Sequence, residues 1–346
     1  MKRQSRYRGA RKSIGVLIPL LAVLCVIAAI ALYVIDNNTT YSKEGSSVLP
    51  EKTEKTENVE ATIIVENTDG TSDVIDPAVE ENTDAKVKAV FIPISSVKDK
   101  ESFEKELSTA KTLGVNTLVL EVKAEDGSLA FKTKSAFGAK NELMGNSSVL
   151  SGVVSRAREE GYRVAFYVSC FRDNEAAIKN ASSAVRTENK VLWIDGEVGK
   201  YREMRWLSPY SEGATTYLTD VLRELCEFSP DEIILSNVSF PAIGRTDIIA
   251  YEDGGVKKSD KLSEFISSAR TAAGGTKLSA VYENYTGTAL TESGQVAGLF
   301  AGAFDTVYIN LRAEKKTAAF DDVKAYFKKA VPISDAPTGN EYMIKE

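Results

Sequence analysis

The chain has 346 residues, no histidine, and cysteines only at positions 25, 170 and 226. Neither a Ser-His-Asp nor a Cys-His catalytic set can be built from it, and His-ligated or thiolate-cluster metal sites are excluded as well. No metal and no resident cofactor is expected. Acid–base chemistry therefore falls to carboxylates, with Lys, Tyr and Ser as helpers. Three carboxylates stand where such chemistry could be staged. Glu121 lies in the apolar run 116–123, Asp126 in the loop after it, and Glu283 at the end of the run 277–284. Lys123 is two residues past Glu121, and in a regular strand the two share a face. A pair of carboxyl groups about 5–5.5 Å or 6.5–9.5 Å apart, beside aromatic faces, is the equipment for splitting a bond between sugars. Trp193 and Trp206 could supply those faces or cap a rim. Tyr167, Asp173, Ser236, Asn237 and Tyr308 lie at or near the ends of other apolar runs and could contact a ligand. Each has a plainer reading: Asp126-Gly127 is also a turn signal, Tyr167 and Tyr308 can fill space, and Glu121 can pair with Lys123 or another base. Glu283 and Val281, two residues apart, share a face, so Glu121 and Glu283 meet only if a fold gathers the run ends.

The elements that must do the gathering alternate. Residues 88–94, 116–123, 163–170, 232–240, 277–284 and 304–311 read as nearly continuous apolar strands, whereas 101–113, 149–160, 213–228, 262–273 and 320–331 carry helical spacing. Such alternation predicts a parallel sheet covered by helices, and about 260 residues without an internal linker favour a (β/α)8-type barrel over two domains. Only six strands are clear. Val191–Ile194 and Glu341–Ile344 are candidates for further short strands, or the barrel is incomplete. An open doubly wound sheet is the alternative, but Ile94-Ser95-Ser96-Val97 after the first strand lacks the glycines of a phosphate loop. In a barrel, functional groups collect at the carboxyl ends of the strands, where the candidates above fall.

Charge divides the chain into three. Residues 1–13 carry six basic residues and no acid, 36–85 hold thirteen acids against three lysines, and 86–346 are near neutral at −2. The near-neutral part lacks the basic face that nucleic-acid binding requires. Ile14 to Ile35 is a 22-residue stretch without charge, about 33 Å as a helix, long enough for a bilayer core. Basic residues before it and acids after it place the amino terminus in the cytoplasm and the rest outside. A cleaved signal peptide is the competitor, since Ala29-Ile30-Ala31 fits a small-x-small site. Residues 36–85, rich in Thr, Glu, Asn and Ser, read as a solvated, disordered acidic stalk. Outside the cell a disulfide between Cys170 and Cys226 is conceivable, with two buried thiols the alternative.

The ordered set of motifs from about Lys88 to Pro241 resembles a family of glycoside-hydrolase-like barrel domains long catalogued in bacteria without a known function. It comprises Leu120-Glu121-Val122-Lys123 with Glu125-Asp126-Gly127, Phe171-Arg172-Asp173, Trp206-Leu207-Ser208-Pro209-Tyr210, and Asp231-Glu232-Ile233 through Phe240-Pro241. The resemblance implies a TIM-type barrel and a carbohydrate partner. It also exposes departures: family aspartates fall on Ser236 and Val281, and family arginines on Tyr167 and Ser239. Serine and valine cannot ionise near neutral pH. Two expectations follow. One is a membrane-anchored barrel that cleaves cell-envelope polysaccharide with Glu121 and Glu283 or Asp126. The other is a barrel without turnover that binds glycan or a protein partner.

Overall fold

A computed structural model describes residues 86–196, 203–311 and 319–345. Eight strands follow one another in chain order: β1 (Lys88–Ile92), β2 (Thr117–Lys123), β3 (Arg163–Ser169), β4 (Glu232–Ser236), β5 (Leu278–Tyr282), β6 (Val307–Asn310), β7 (Ala330–Ser334) and β8 (Tyr342–Ile344). All pair in parallel with their neighbours, and β8 pairs back onto β1, Lys88 opposite Tyr342, which closes the barrel. The expected (β/α)8-type barrel is therefore present, with all eight strands.

Alternation fixes which side chains fill it. Ala89, Val119, Ile234, Val281, Tyr308 and Met343 point inward and form one buried cluster. The intervening residues, such as Leu118, Leu120 and Ile233, join the larger core between barrel and helices. The outer layer includes α1 (Lys100–Leu113), α2 (Ser147–Glu159), the short α3 (Asn174–Lys179), α4 (Glu212–Cys226), α5 (Lys258–Ala273), α6 (Ala297–Ala303) and α7 (Phe320–Lys324). Their starts are written in the sequence. Asp99, Asn146, Asp173 and Ser211 each accept a hydrogen bond from a backbone N–H in the first turn of α1, α2, α3 and α4, which satisfies donors that the helix itself cannot. α1 buries Phe103, Leu107 and Ala110 on one face and stops at Gly114 in the left-handed conformation, φ +62°.

Two expectations change. The helix expected over 320–331 ends at Lys324, and Ala330–Ser334 is β7. Phe320, Val323, Phe327 and Val331 have helical spacing, but the last two positions serve a turn and a strand: pairing with β6 and β8 overrides local periodicity. Val191–Ile194 is no barrel strand. Ile194–Asp195 instead pairs antiparallel with Met204–Arg205 in a small excursion after β3. Residues 341–344 do supply the closing strand. No helix stands between β7 and β8, which are joined by residues 335–341 alone. No described helix is long and apolar enough to cross a membrane, and the segments 1–13, 14–35 and 36–85 lie outside the described residues. Cys170 and Cys226 are free thiols, and burial pushes the Cys170 thiol up to about 12.

Candidate active site at the barrel mouth

One step beyond the inward positions of the strands lies the mouth. β2 contributes Glu121, the residue after β5 is Glu283, β6 ends in Asn310, and Lys345 follows β8. Glu121 accepts a hydrogen bond from the backbone N–H of Ile94 at 3.0 Å. Asn310 donates to Glu283 at 2.9 Å, and Gln295 accepts from the Glu283 backbone N–H at 3.1 Å. Lys345 donates to the Tyr167 hydroxyl at 2.9 Å and lies 4.1 Å and 4.3 Å from the ring centres of Tyr167 and Phe91. These rings are themselves edge-to-face at 5.1 Å. Arg172 bonds Glu125, and it also pairs with Asp195 at 2.7 Å. Asn237, in a left-handed conformation at φ +52°, donates to Glu125 at 3.1 Å and to Ser169 at 3.0 Å.

Burial raises the pKa of Glu121, against the Ile94 N–H and the charge of Lys345, which pull it down. Burial likewise raises Glu283, against the Asn310 amide and Lys345. Lys345 feels the same desolvation in the opposite sense, but Tyr167, Glu125 and Glu121 outweigh it and leave its pKa raised. The ammonium thus stays charged among the carboxylates.

The structure brings Glu121, Glu283, Tyr167 and Asn237 to this end of the barrel, with Ser236 buried just below, its hydroxyl donating to the Val168 carbonyl at 3.4 Å. It takes six other candidates elsewhere. Lys123 does not share a face with Glu121. The pairing of β2 with β3 slips between them, Glu121 standing opposite Tyr167 and Lys123 opposite Val168, so a bulge turns the lysine outward. There Lys123 is fully buried, 2.6 Å from Asp173 and 2.7 Å from the Ser169 carbonyl. Asp173 is equally buried. It caps α3 through Ala176 and receives the Tyr217 hydroxyl at 3.4 Å, so it serves the fold rather than a ligand. Trp206 is buried with its indole N–H on Asp195 at 2.8 Å, and Trp193 is buried with its N–H on the Arg245 carbonyl at 2.9 Å. Neither ring is an open stacking face. Tyr308 lies inside the barrel, its hydroxyl 3.3 Å from Glu232 at the start of β4, toward the opposite end. Asp126 takes the turn reading, accepting from the Ser128 N–H at 2.9 Å.

Lys345 was absent from the candidates read from sequence, whereas Arg172 and Asn310 were already placed at strand ends. The signal for Lys345 was the doubtful strand 341–344: once it is a barrel strand with Met343 inward, Lys345 is inward too. Among the described residues no group of His, Cys, Asp and Glu could hold a metal ion.

An eight-stranded parallel barrel whose ionisable groups gather at the carboxyl ends of its strands has the architecture of the TIM-barrel enzymes. Within that class the sequence is specific: a family model described as "Putative glycosyl hydrolase domain" matches residues 89–298, and the chain belongs to that family. The match extends past the motifs that first suggested it, through β5. Similar solved structures include a hypothetical protein from Ruminiclostridium thermocellum ATCC 27405, at 23% identity and TM-score 0.48, covering 55% of this chain and 96% of that one. The alpha-galactosidase TtGalA from Thermus thermophilus gives 13% and 0.42, covering 64% and 41%. The GH20 exo beta-N-acetylglucosaminidase from Vibrio harveyi gives 12% and 0.49, covering 72% and 41%. No curated protein matches the chain significantly.

Proposed function

We propose that this chain binds a cell-envelope polysaccharide in the barrel mouth without cleaving it, held at the outer face of a membrane by residues 14–35 and spaced from it by residues 36–85. The family membership supports a saccharide as the ligand. The observation that carries binding over turnover is that Ser236 and Val281, which fall on aspartate positions of the family that the sequence resembles, are buried and cannot ionise. Glycosidic cleavage wants one protonated acid and one ionised carboxylate, which requires environments that push the two pKa values apart. Here burial pushes Glu121 and Glu283 the same way.

The second reading, hydrolysis by Glu121 and Glu283, rests on one specific feature: both carboxyls share the mouth with the same ammonium, Lys345. The purified full chain incubated with wall polysaccharide separates the two. Retention on the polysaccharide with no new reducing ends supports binding. Reducing ends that vanish in Glu121→Gln and Glu283→Gln establish hydrolysis by this pair. The anchor is tested by fractionation. The full chain should stay with membranes through alkaline carbonate washing, and removal of residues 1–35 should release it.

A further inference from the structure

Beside the carboxylates the mouth contains a chamber of about 200 Å³ lined by Tyr167, Val281, Asn310, Ile333 and Lys345. Its only charged wall is Lys345. That ammonium has three protons to donate; one is used by the Tyr167 hydroxyl, and the aromatic rings of Tyr167 and Phe91 flank the group. Among the described residues the carboxylates that act on it, Glu125, Glu121 and Glu283, do so without forming a contact ion pair. The nearby acids are otherwise engaged: Glu125 by Arg172 and Asn237, Glu121 by the Ile94 N–H, and Glu283 by Asn310. Val281 and Ile333 offer nothing to an ammonium. Because these three glutamates act on its charge only from beyond contact distance, the ammonium forgoes the gain of a contact ion pair. A ligand anion entering the chamber would supply that gain as a charge-assisted hydrogen bond, about twice as strong as a neutral one.

We propose that Lys345 is the anchor for the carboxylate of an acidic sugar, so that the polysaccharide this barrel takes carries uronic-acid or comparable carboxylate substituents. This rests on the saccharide reading of the same mouth and narrows it to a class. The chamber size suits a single substituent or ring rather than a length of chain, and its apolar walls at Val281 and Ile333 exclude water from the ion pair formed.

The test uses the full chain and ligands matched ring for ring: oligogalacturonate against its methyl ester, and a hyaluronan tetrasaccharide against its carboxyl-reduced form, measured by titration calorimetry. An acidic member should bind about tenfold or more tighter than its neutral partner, the worth of one charge-assisted contact, and the preference should shrink as salt is raised. Lys345→Met should bring acidic and neutral affinities level. Val281→Asp, which places a carboxylate on the chamber wall, should also abolish the preference while leaving Lys345 in place. Equal affinity of the native chain for both members of each pair overturns the acidic-sugar inference and leaves saccharide binding standing. Binding of none of the four removes the saccharide reading and this inference with it. Thermal unfolding of both variants, which should stay cooperative, separates a lost anchor from a lost fold.

Discussion

Two lysines stand at the carboxyl ends of barrel strands, and their surroundings differ in one respect that decides their roles. Lys123, turned outward by the bulge in β2, is fully buried and has Asp173 at 2.6 Å. Lys345, turned inward after β8, has a tyrosine hydroxyl and two ring faces and no carboxylate at ion-pair distance among the described residues. The first is a closed circuit of charge. It ties β2 to the loop after β3 and, through Asp173, to the start of α3 and the Tyr217 hydroxyl of α4. The second is left open on the side of the chamber. A buried ion pair satisfied within the protein serves the fold, whereas one half of such a pair, kept charged at a recess, is presented to something else.

The contrast can be broken in several places. The largest effect is expected from Lys123→Met, which strands Asp173 in the interior and should cost about 3–5 kcal/mol by denaturant unfolding. A loss under about 1 kcal/mol would mean that the pair is not the structural tie described. Gly127→Ala comes next. At φ +94° an added Cβ would overlap Glu175 and Asp173, so α3 and the carboxylate it presents to Lys123 must shift. The expected loss is about 1–3 kcal/mol, by analogy with overpacking. Glu283→Gln should act in the opposite direction. Because its folded pKa is raised, ionised Glu283 disfavours the fold above that pKa, and the penalty fades as pH falls through it toward the unfolded value. The variant should therefore unfold at a higher temperature than the native chain near neutral pH, and the two should converge as the medium is acidified. Thermal melts across that range check the sign. Lys345→Met should change stability least, by about 1 kcal/mol or less for a single hydrogen bond, even as acidic-ligand preference disappears. A loss as large as that of Lys123→Met would erase the distinction between the two lysines.

Much of the framework was legible because it rests on local chemistry. Four helix starts are marked by Asp99, Asn146, Asp173 and Ser211, and the six long apolar runs became six barrel strands. β7 was hidden because Pro332 and the helical spacing from Phe320 argue against a strand, and only its two neighbours in the ring make it one. The site was legible to the level of Glu121 and Glu283, which simple alternation along their strands brings to the mouth. Lys123 was misread by that same alternation, since a one-residue bulge reverses every inference past it. The places of Trp206 and Asp173 could not be read from sequence for another reason. Residues after a strand end can fold back under the helices, and whether they do depends on partners such as Asp195 and Tyr217 that lie far along the chain.

The filling of the barrel also limits how a polymer can use it. With Val119, Ile234, Val281 and Tyr308 packed across the interior and Tyr308 tied to Glu232 toward the far end, the barrel is a cup, not a pipe. Nothing can be threaded through it. On the proposed reading, a long glycan could only dip a terminus or a pendant group into the opening and withdraw it the same way, one protrusion at a time.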